Sequence, residues 1–156
     1  MTILKSLIFL ILVPGLLIGY FPYLISTTDS ELFAPGAVSY LALPLWLTGA
    51  AGMLWCFWNF LVNGRGTPAP FDPPKQLVAV GLYRLIRNPM YVAGLIALSG
   101  WILWSPSLPL VVAPILFFTA AHLFVTLYEE PTLRKKFGAA YEDYCQRVPR
   151  WIPRLK

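Results

Sequence analysis

Residues 90–104, MYVAGLIALSGWILW, are followed by SPSLP at 105–109 and by LVVAPILFFTAAHLFVTLY at 110–128. Across the whole stretch there is no Asp, Glu, Lys or Arg, and the Ser/Pro turn in its middle is uncharged. Two apolar runs joined by so short a turn predict a helical hairpin in a lipid bilayer. The hydrocarbon core takes about 20 apolar residues per helix and leaves no backbone polar group unsatisfied outside a helix or closed barrel.

The same character extends toward the N-terminus. A run over 3–25 is broken only by Lys5, Pro14 and Pro22, and a kink is expected at Pro14. A second run over 38–62 carries Trp46, Trp55, Phe57 and Trp58, residues suited to an interfacial aromatic belt. No small-residue cleavage site follows the first run, so it is expected to be a retained span rather than a signal peptide. Of the 156 residues, 58% are hydrophobic and 12% charged, about half the charged share of a soluble domain. A chain of this length lacks the polar side chains to cover such a surface in water. The expected fold is therefore all-α, a polytopic membrane protein of about four transmembrane helices plus a C-terminal amphipathic helix. It forms a single membrane domain over 1–156.

The charges report orientation. Lys5 precedes the first run, none of the basic residues lies in 26–36 or 105–109, four (Arg65, Lys75, Arg84, Arg87) lie in 63–89, and seven follow residue 128. By the positive-inside rule both termini and the loop 63–89 face the cytoplasm, and the net charge of +5 calls for lipid headgroups and no nucleic acid. The expected location is integral to a membrane, the bacterial inner membrane. Cys56 and Cys145 lie on different elements and make neither a disulfide pattern nor a metal-ligand spacing.

Between the hairpin and the second span, Gly64, Gly66, Pro68, Pro70, Pro73 and Pro74 forbid a continuous helix, so 63–89 reads as a long constrained loop. Beyond the hairpin, a helix over about 131–147 can start on Pro131. It sets Leu133, Phe137, Ala140, Tyr141, Tyr144 and Val148 on one apolar stripe, facing the membrane surface or the loop 63–89, with Trp151 anchoring the tail.

Chemistry concentrates at the cytoplasmic ends of the spans. His122, the only histidine, reads as a packed and hydrogen-bonded residue. The stretch 81–91, GLYRLIRNPMY, lies directly before the third span, and Glu129-Glu130-Pro131 ends the fourth. Two adjacent carboxylates at a helix C-terminus are unfavourable unless a cation is near, and Arg84 and Arg87 are candidates. A structural ion-pair patch and a site for a cationic ligand both explain them. The tight hairpin returns both clusters to one side of the bilayer. A membrane enzyme, a non-catalytic binding or scaffold protein and a small transporter stay open. The transporter is disfavoured by the lack of an intramembrane carboxylate or basic residue.

Gly81-Leu82-Tyr83, Arg87-Asn88-Pro89-Met90-Tyr91, Glu129-Glu130, Phe137-Gly138, Tyr141, Tyr144 and Val148-Pro149-Arg150 together resemble the isoprenylcysteine carboxyl methyltransferase family and the related phospholipid methyltransferases. The resemblance covers roughly 63–154, while the first two spans match only in being hydrophobic. It implies a methyltransferase using S-adenosylmethionine, held between the loop before the third span and the C-terminal segment. Cofactor contacts carried over by position are Lys75, Gln76, Leu77, Val78, Tyr83, Asn88, Pro89, Met90 and Tyr91. Glu129 falls at the substrate end, with Glu130 and Arg87 as further catalytic candidates, and no metal is implied. The acceptor is expected to be lipophilic, a small molecule or a lipid-anchored substrate, drawn from the membrane lipids. Asn88 stands where better-known eukaryotic members have histidine, and Val125 where those members pair an arginine with the acceptor's carboxylate.

Overall fold

The computed structural model describes Ile8 and residues 11–28, 36–64 and 75–154. Lys5, the acidic residues Asp29 and Glu31, Arg65 and the Gly/Pro-rich stretch 66–74 lie outside the described residues. No strand occurs among those described, and four long helices and one short one account for most of them: α1 (Ile11–Thr28), α2 (Ala37–Gly64), α3 (Pro89–Trp104), α4 (Leu108–Phe137) and α5 (Ala139–Arg147). The chain is an all-α polytopic membrane protein. Its outward faces carry lipid-type side chains such as Leu47, Ile115, Leu116 and Leu127, all more than half exposed.

The shortest apolar helix, α3, is the centre of the bundle. It packs against α2 most extensively, against α4 through the hairpin, and against α1. Small residues make this possible. Ala93, Gly94, Ala97 and Gly100 are buried on α3, and a Cβ added at Gly49 of α2 would lie 2.7 Å from the Ala93 carbonyl oxygen and 2.8 Å from the Ala97 Cβ. Lipid supplies no hydrophobic force to drive two helices together, so close backbone approach and dispersion hold this pair. Ile18, Met53, Ala93, Ala97 and Leu98 form the resulting core, with Trp101 and Phe117 on its edge.

Proline shapes two of the helices. Pro14 sits within a π-type stretch over Ile11–Tyr20, whose looser register takes up a residue that cannot donate. Pro22 has no N–H for the carbonyl of Ile18 four residues earlier, and the Trp101 indole donates to that carbonyl instead, at 2.8 Å. This bond ties α1 to α3. Pro131 gives the main departure from the sequence expectation. The fourth helix does not end at Tyr128 with a separate helix starting at Pro131, but runs unbroken for 30 residues. A π-type turn over Val125–Glu129, in which the Glu130 N–H reaches the Val125 carbonyl, admits the proline without a break. At a rise of 1.5 Å per residue α4 is roughly 45 Å long, well beyond a hydrocarbon core of about 30 Å. Its last turns therefore belong to the site and not to the lipid.

The helix stops at Gly138, whose φ of +53° favours glycine, and α5 folds back. The apolar stripe lies where expected except at Ala140, which is exposed next to the turn at Gly138 that interrupts the helix expected over 131–147. Tyr141, Tyr144 and Val148 are buried against Leu77, Ala79, Leu133 and Phe137, so α5 covers the loop before α3. Of the proposed aromatic belt, Trp55 and Trp58 are exposed, but Phe57 is buried in the core and Trp46 packs on Trp101 and Trp104 with centroids 4.8 and 5.6 Å away.

Gly49→Ala should lower stability by about 1–3 kcal/mol, because the added methyl must push α2 off the α3 backbone. Thermal unfolding of the detergent-solubilised protein, followed by thiol labelling of the buried Cys56, measures it.

Candidate functional site

The loop 75–88 is held by its backbone before any side chain is considered. The Gly64 carbonyl at the end of α2 accepts the Lys75 and Gln76 N–H groups, at 2.8 and 3.3 Å, closing the neck of the preceding segment. Gly81, at φ +57°, passes so close to Trp55 and Asn59 that a Cβ there would meet the Asn59 side chain at 2.9 Å. A short 3₁₀ turn, Gly81–Arg84, then drops Tyr83 edge-on against Phe60 of α2. Pro89 opens α3 at a position where no N–H is needed.

The C-terminal segment lies across this loop and is bonded to it along its length. The Tyr144 hydroxyl donates to the Tyr83 carbonyl at 2.7 Å. The Arg87 N–H donates to the Pro149 carbonyl at 2.8 Å, and the Asn88 side-chain amide to the Arg150 carbonyl at 3.2 Å. Burial pushes Tyr83 well above its ordinary pKa, with the neighbouring Cys56 thiol adding to the effect, and burial likewise raises Tyr141 and Tyr144. All three phenols therefore stay protonated and able to donate.

Beneath the loop and the tail is a cavity of about 180 Å³. Its wall within the bundle is apolar: Val13, Pro14, Leu17 and Ile18 of α1, Met53 and Phe60 of α2, Phe117 and Val125 of α4. Its other wall collects most of the residues expected from sequence: Leu77, Val78, Tyr83, Arg87, Asn88, Met90, Tyr91, Glu129 and Glu130. Lys75 and Gln76 do not line it, for their side chains are exposed and their backbone serves the neck at Gly64. Pro89 is buried behind it as the first residue of α3.

The two adjacent carboxylates have different surroundings. Glu130 is 3% exposed. It receives a two-pronged pair from Arg150, Nε to Oε1 at 2.7 Å and Nη2 to Oε2 at 2.9 Å, and Arg87 lies 3.2 Å from Oε1. Arg134 approaches to 3.9 Å. The bond to Glu130 in turn holds the Arg150 guanidinium further above its ordinary pKa. Glu130 is thus the hub of an ion-pair cluster that joins α4, the loop and the tail. Glu129 accepts from the Tyr91 hydroxyl at 3.2 Å and faces the cavity. Of the two cations suggested for the carboxylates, Arg87 is engaged, whereas Arg84 is exposed and away from the cavity.

Sequence reasoning did not single out Arg150 as the principal partner of Glu130, nor the contribution of α1 to the cavity. Arg150 lies within the motif Val148-Pro149-Arg150, and two vicinal acids at a helix end are the signal that could have found it. Nothing in the α1 sequence beyond its hydrophobicity pointed to the cavity. Trp151 anchors the tail on α4: it donates to His122 Nδ1 at 3.2 Å and packs on Phe118. That bond makes His122 the packed, hydrogen-bonded residue expected.

Glu130→Gln should destabilise the fold by about 3–5 kcal/mol, since it strands the half-buried Arg87 and Arg150 guanidiniums. The expected readout is a lower melting temperature in lipid nanodiscs, together with faster proteolysis of the C-terminal segment.

The chain is 37% identical over 78 residues to methanethiol S-methyltransferase 2 of Bradyrhizobium diazoefficiens, covering 47% of this chain and 27% of that one. It is 32% identical over 85 residues to protein-S-isoprenylcysteine O-methyltransferase B of Arabidopsis thaliana, covering 50% and 40%. It is 35% identical over 88 residues to a delta(14)-sterol reductase of Mus musculus, covering 54% and 21%. The chain spans less than half the length of each of these relatives. No solved structure matches it. The family model for phospholipid methyltransferase matches residues 37–140, two thirds of the chain, from α2 through the first turn of α5. The chain belongs to the phospholipid methyltransferase family.

Proposed function

We propose that the chain is an S-adenosylmethionine-dependent methyltransferase that acts on a lipophilic acceptor, bearing a carboxylate, thiol or amine, at the cytoplasmic face of the bacterial inner membrane. One observation carries this reading. A cavity walled on one side by membrane helices presents, on its other side, a carboxylate that accepts from a tyrosine, together with aromatic and amide groups of the loop and the start of α3. Membership of the family and the names of two relatives, an S-methyltransferase and an O-methyltransferase, supply the reaction class.

The residues present suit S-adenosylmethionine. The Arg87 Nε is buried without a hydrogen-bond partner among the described residues, and its side chain lines the cavity, a donor suited to a carboxylate. Leu77, Val78, Tyr83 and Met90 offer the apolar and aromatic surface that a flat heterocycle requires, Asn88 a side-chain amide, and Tyr91 a ring face suited to a cationic centre. When bound, the cofactor supplies an electrophilic methyl group on a sulfonium sulfur. The protein's part is alignment and exclusion of water. α5 and the tail cover the loop from the aqueous side, and the apolar wall of α1, α2 and α4 accepts the hydrophobic body of an acceptor arriving from lipid. Glu129 stands at the acceptor end. An amine or alcohol acceptor would give its proton to that carboxylate, whereas a thiolate or carboxylate acceptor needs no base.

The test is incubation of the purified protein, in nanodiscs, with methyl-labelled S-adenosylmethionine and a total lipid extract. Label is expected in a species soluble in organic solvent. Sterol reduction, the activity named for the mouse relative, would leave no labelled methyl group in any lipid, so the assay separates the two chemistries. Transfer confined to water-soluble acceptors and indifferent to extraction from lipid would overturn the acceptor class. Glu129→Gln is expected to lower turnover about 100-fold or more with an unchanged melting temperature. Tyr91→Ala should weaken cofactor binding by about tenfold through the lost ring, as read by calorimetric titration.

A further inference from the structure

We infer that His122 and Trp151 form a positioning pair for the acceptor end of the cavity: the hydrogen bond between them holds the indole against Tyr91 and so holds the Tyr91 hydroxyl on Glu129. The inference rests on the methyltransferase reading and assigns a role within that site to two residues that do not line the cavity.

The contacts form a short relay. His122 lies seven residues before Glu129 on α4, and Trp151 and Tyr91 connect the two in space. The His122 Nδ1 accepts from the Trp151 Nε1 at 3.2 Å, and the two rings lie with centroids 6.1 Å apart. The indole is also boxed by Phe118, at 5.1 Å, and meets the Tyr91 ring edge-on at 6.2 Å. Tyr91 has Phe117 at 6.4 Å, and its hydroxyl donates to Glu129 at 3.2 Å. With Trp151 on one side and Phe117 as a further wall, the phenol is restricted to directions that keep it on the carboxylate. Trp151 directly follows Arg150, whose guanidinium is fixed on Glu130. Two successive residues of the tail therefore serve the two vicinal carboxylates, Arg150 by direct pairing and Trp151 through Tyr91.

The pair has a chemical requirement. An indole N–H among aromatic and aliphatic groups needs an acceptor, and the chain's one histidine supplies it on the neighbouring helix. The accepting nitrogen is Nδ1. Loss of the bond frees the indole to turn, removes the wall beside Tyr91 and loosens the hydroxyl on Glu129. The Tyr91 ring remains in the cavity, so cofactor binding is retained while the alignment of the acceptor end is lost. In such sites a small misplacement lowers the rate far more than it lowers binding.

The experiment compares His122→Leu, His122→Asn, Trp151→Phe and the double variant His122→Leu/Trp151→Phe in nanodiscs. Turnover is measured with labelled cofactor and lipid extract, and cofactor affinity by calorimetry. His122→Leu and Trp151→Phe are each expected to lower kcat about tenfold with cofactor affinity held within about twofold. The double variant should be no slower than either single variant, because one bond is broken once. His122→Asn, whose side-chain carbonyl can occupy the place of Nδ1, should recover kcat to within about threefold of the unmodified protein. Unmodified turnover in His122→Leu overturns the inference, as does an Asn variant as slow as the Leu variant, or additive losses in the double variant. An unmodified protein that neither binds the cofactor nor transfers methyl overturns the methyltransferase reading and this inference with it. An active unmodified protein with an equally active His122→Leu overturns the inference alone.

Discussion

The pairing of Glu130 with Arg150 and Arg87 is the contact on which the site depends. It brings together three parts of the chain that share no secondary structure: the end of a membrane helix, the loop before α3 and the tail after α5. An acid buried this deeply is tolerable only when its charge and both its oxygens are met, and here a two-pronged guanidinium meets them. The consequence is geometric. Once Arg150 is fixed, its carbonyl is placed to receive the Asn88 amide, and the Pro149 carbonyl to receive the Arg87 N–H. The cover of the cavity is thus registered against its wall to within a hydrogen bond, without a disulfide and without a metal cluster among the described residues.

That charged cluster can exist beside a bilayer because the apolar part of the molecule is built on a different principle. α2 and α3 meet through glycine and alanine, with backbone close to backbone, and the bundle needs no polar contact at its centre. Proline then creates two local needs and prescribes how each is met. The Ile18 carbonyl, left without a donor by Pro22, receives the Trp101 indole, and the π-type turn ahead of Pro131 lets one helix serve both lipid and site. The cavity lies where these two regimes adjoin, so one of its walls is hydrocarbon-like and the other is polar.

Much of this is legible in the residues. Hydrophobic runs and the distribution of lysine and arginine lead to a polytopic helical fold, and the spacing of Tyr141, Tyr144 and Val148 identifies the face of α5 that covers the loop. The clustering of Tyr83, Asn88, Tyr91 and Glu129 could be anticipated because the hairpin is tight and its ends must return together. What escapes is what depends on partners distant in sequence. That the fourth helix passes through Pro131 is decided by the π-type register before it, which has no local signature. The difference between Glu129 and Glu130 is equally invisible to a reading of adjacent identical side chains. One turns toward the cavity and one toward two arginines, and only the direction of the helix there distinguishes them. The role of α1 rests on a carbonyl freed by Pro22 and on apolar side chains with no distinguishing composition.

The neck at Gly64 bears on how such a protein can diverge. One carbonyl receives the amides of both Lys75 and Gln76, so the last residue of α2 and the first residues of the site loop are pinned to each other whatever joins them. The register of the cavity wall against α2 is therefore held by main-chain groups alone, so a side-chain substitution at Lys75 or Gln76 leaves it in place, whereas a proline there would remove a donor and release it.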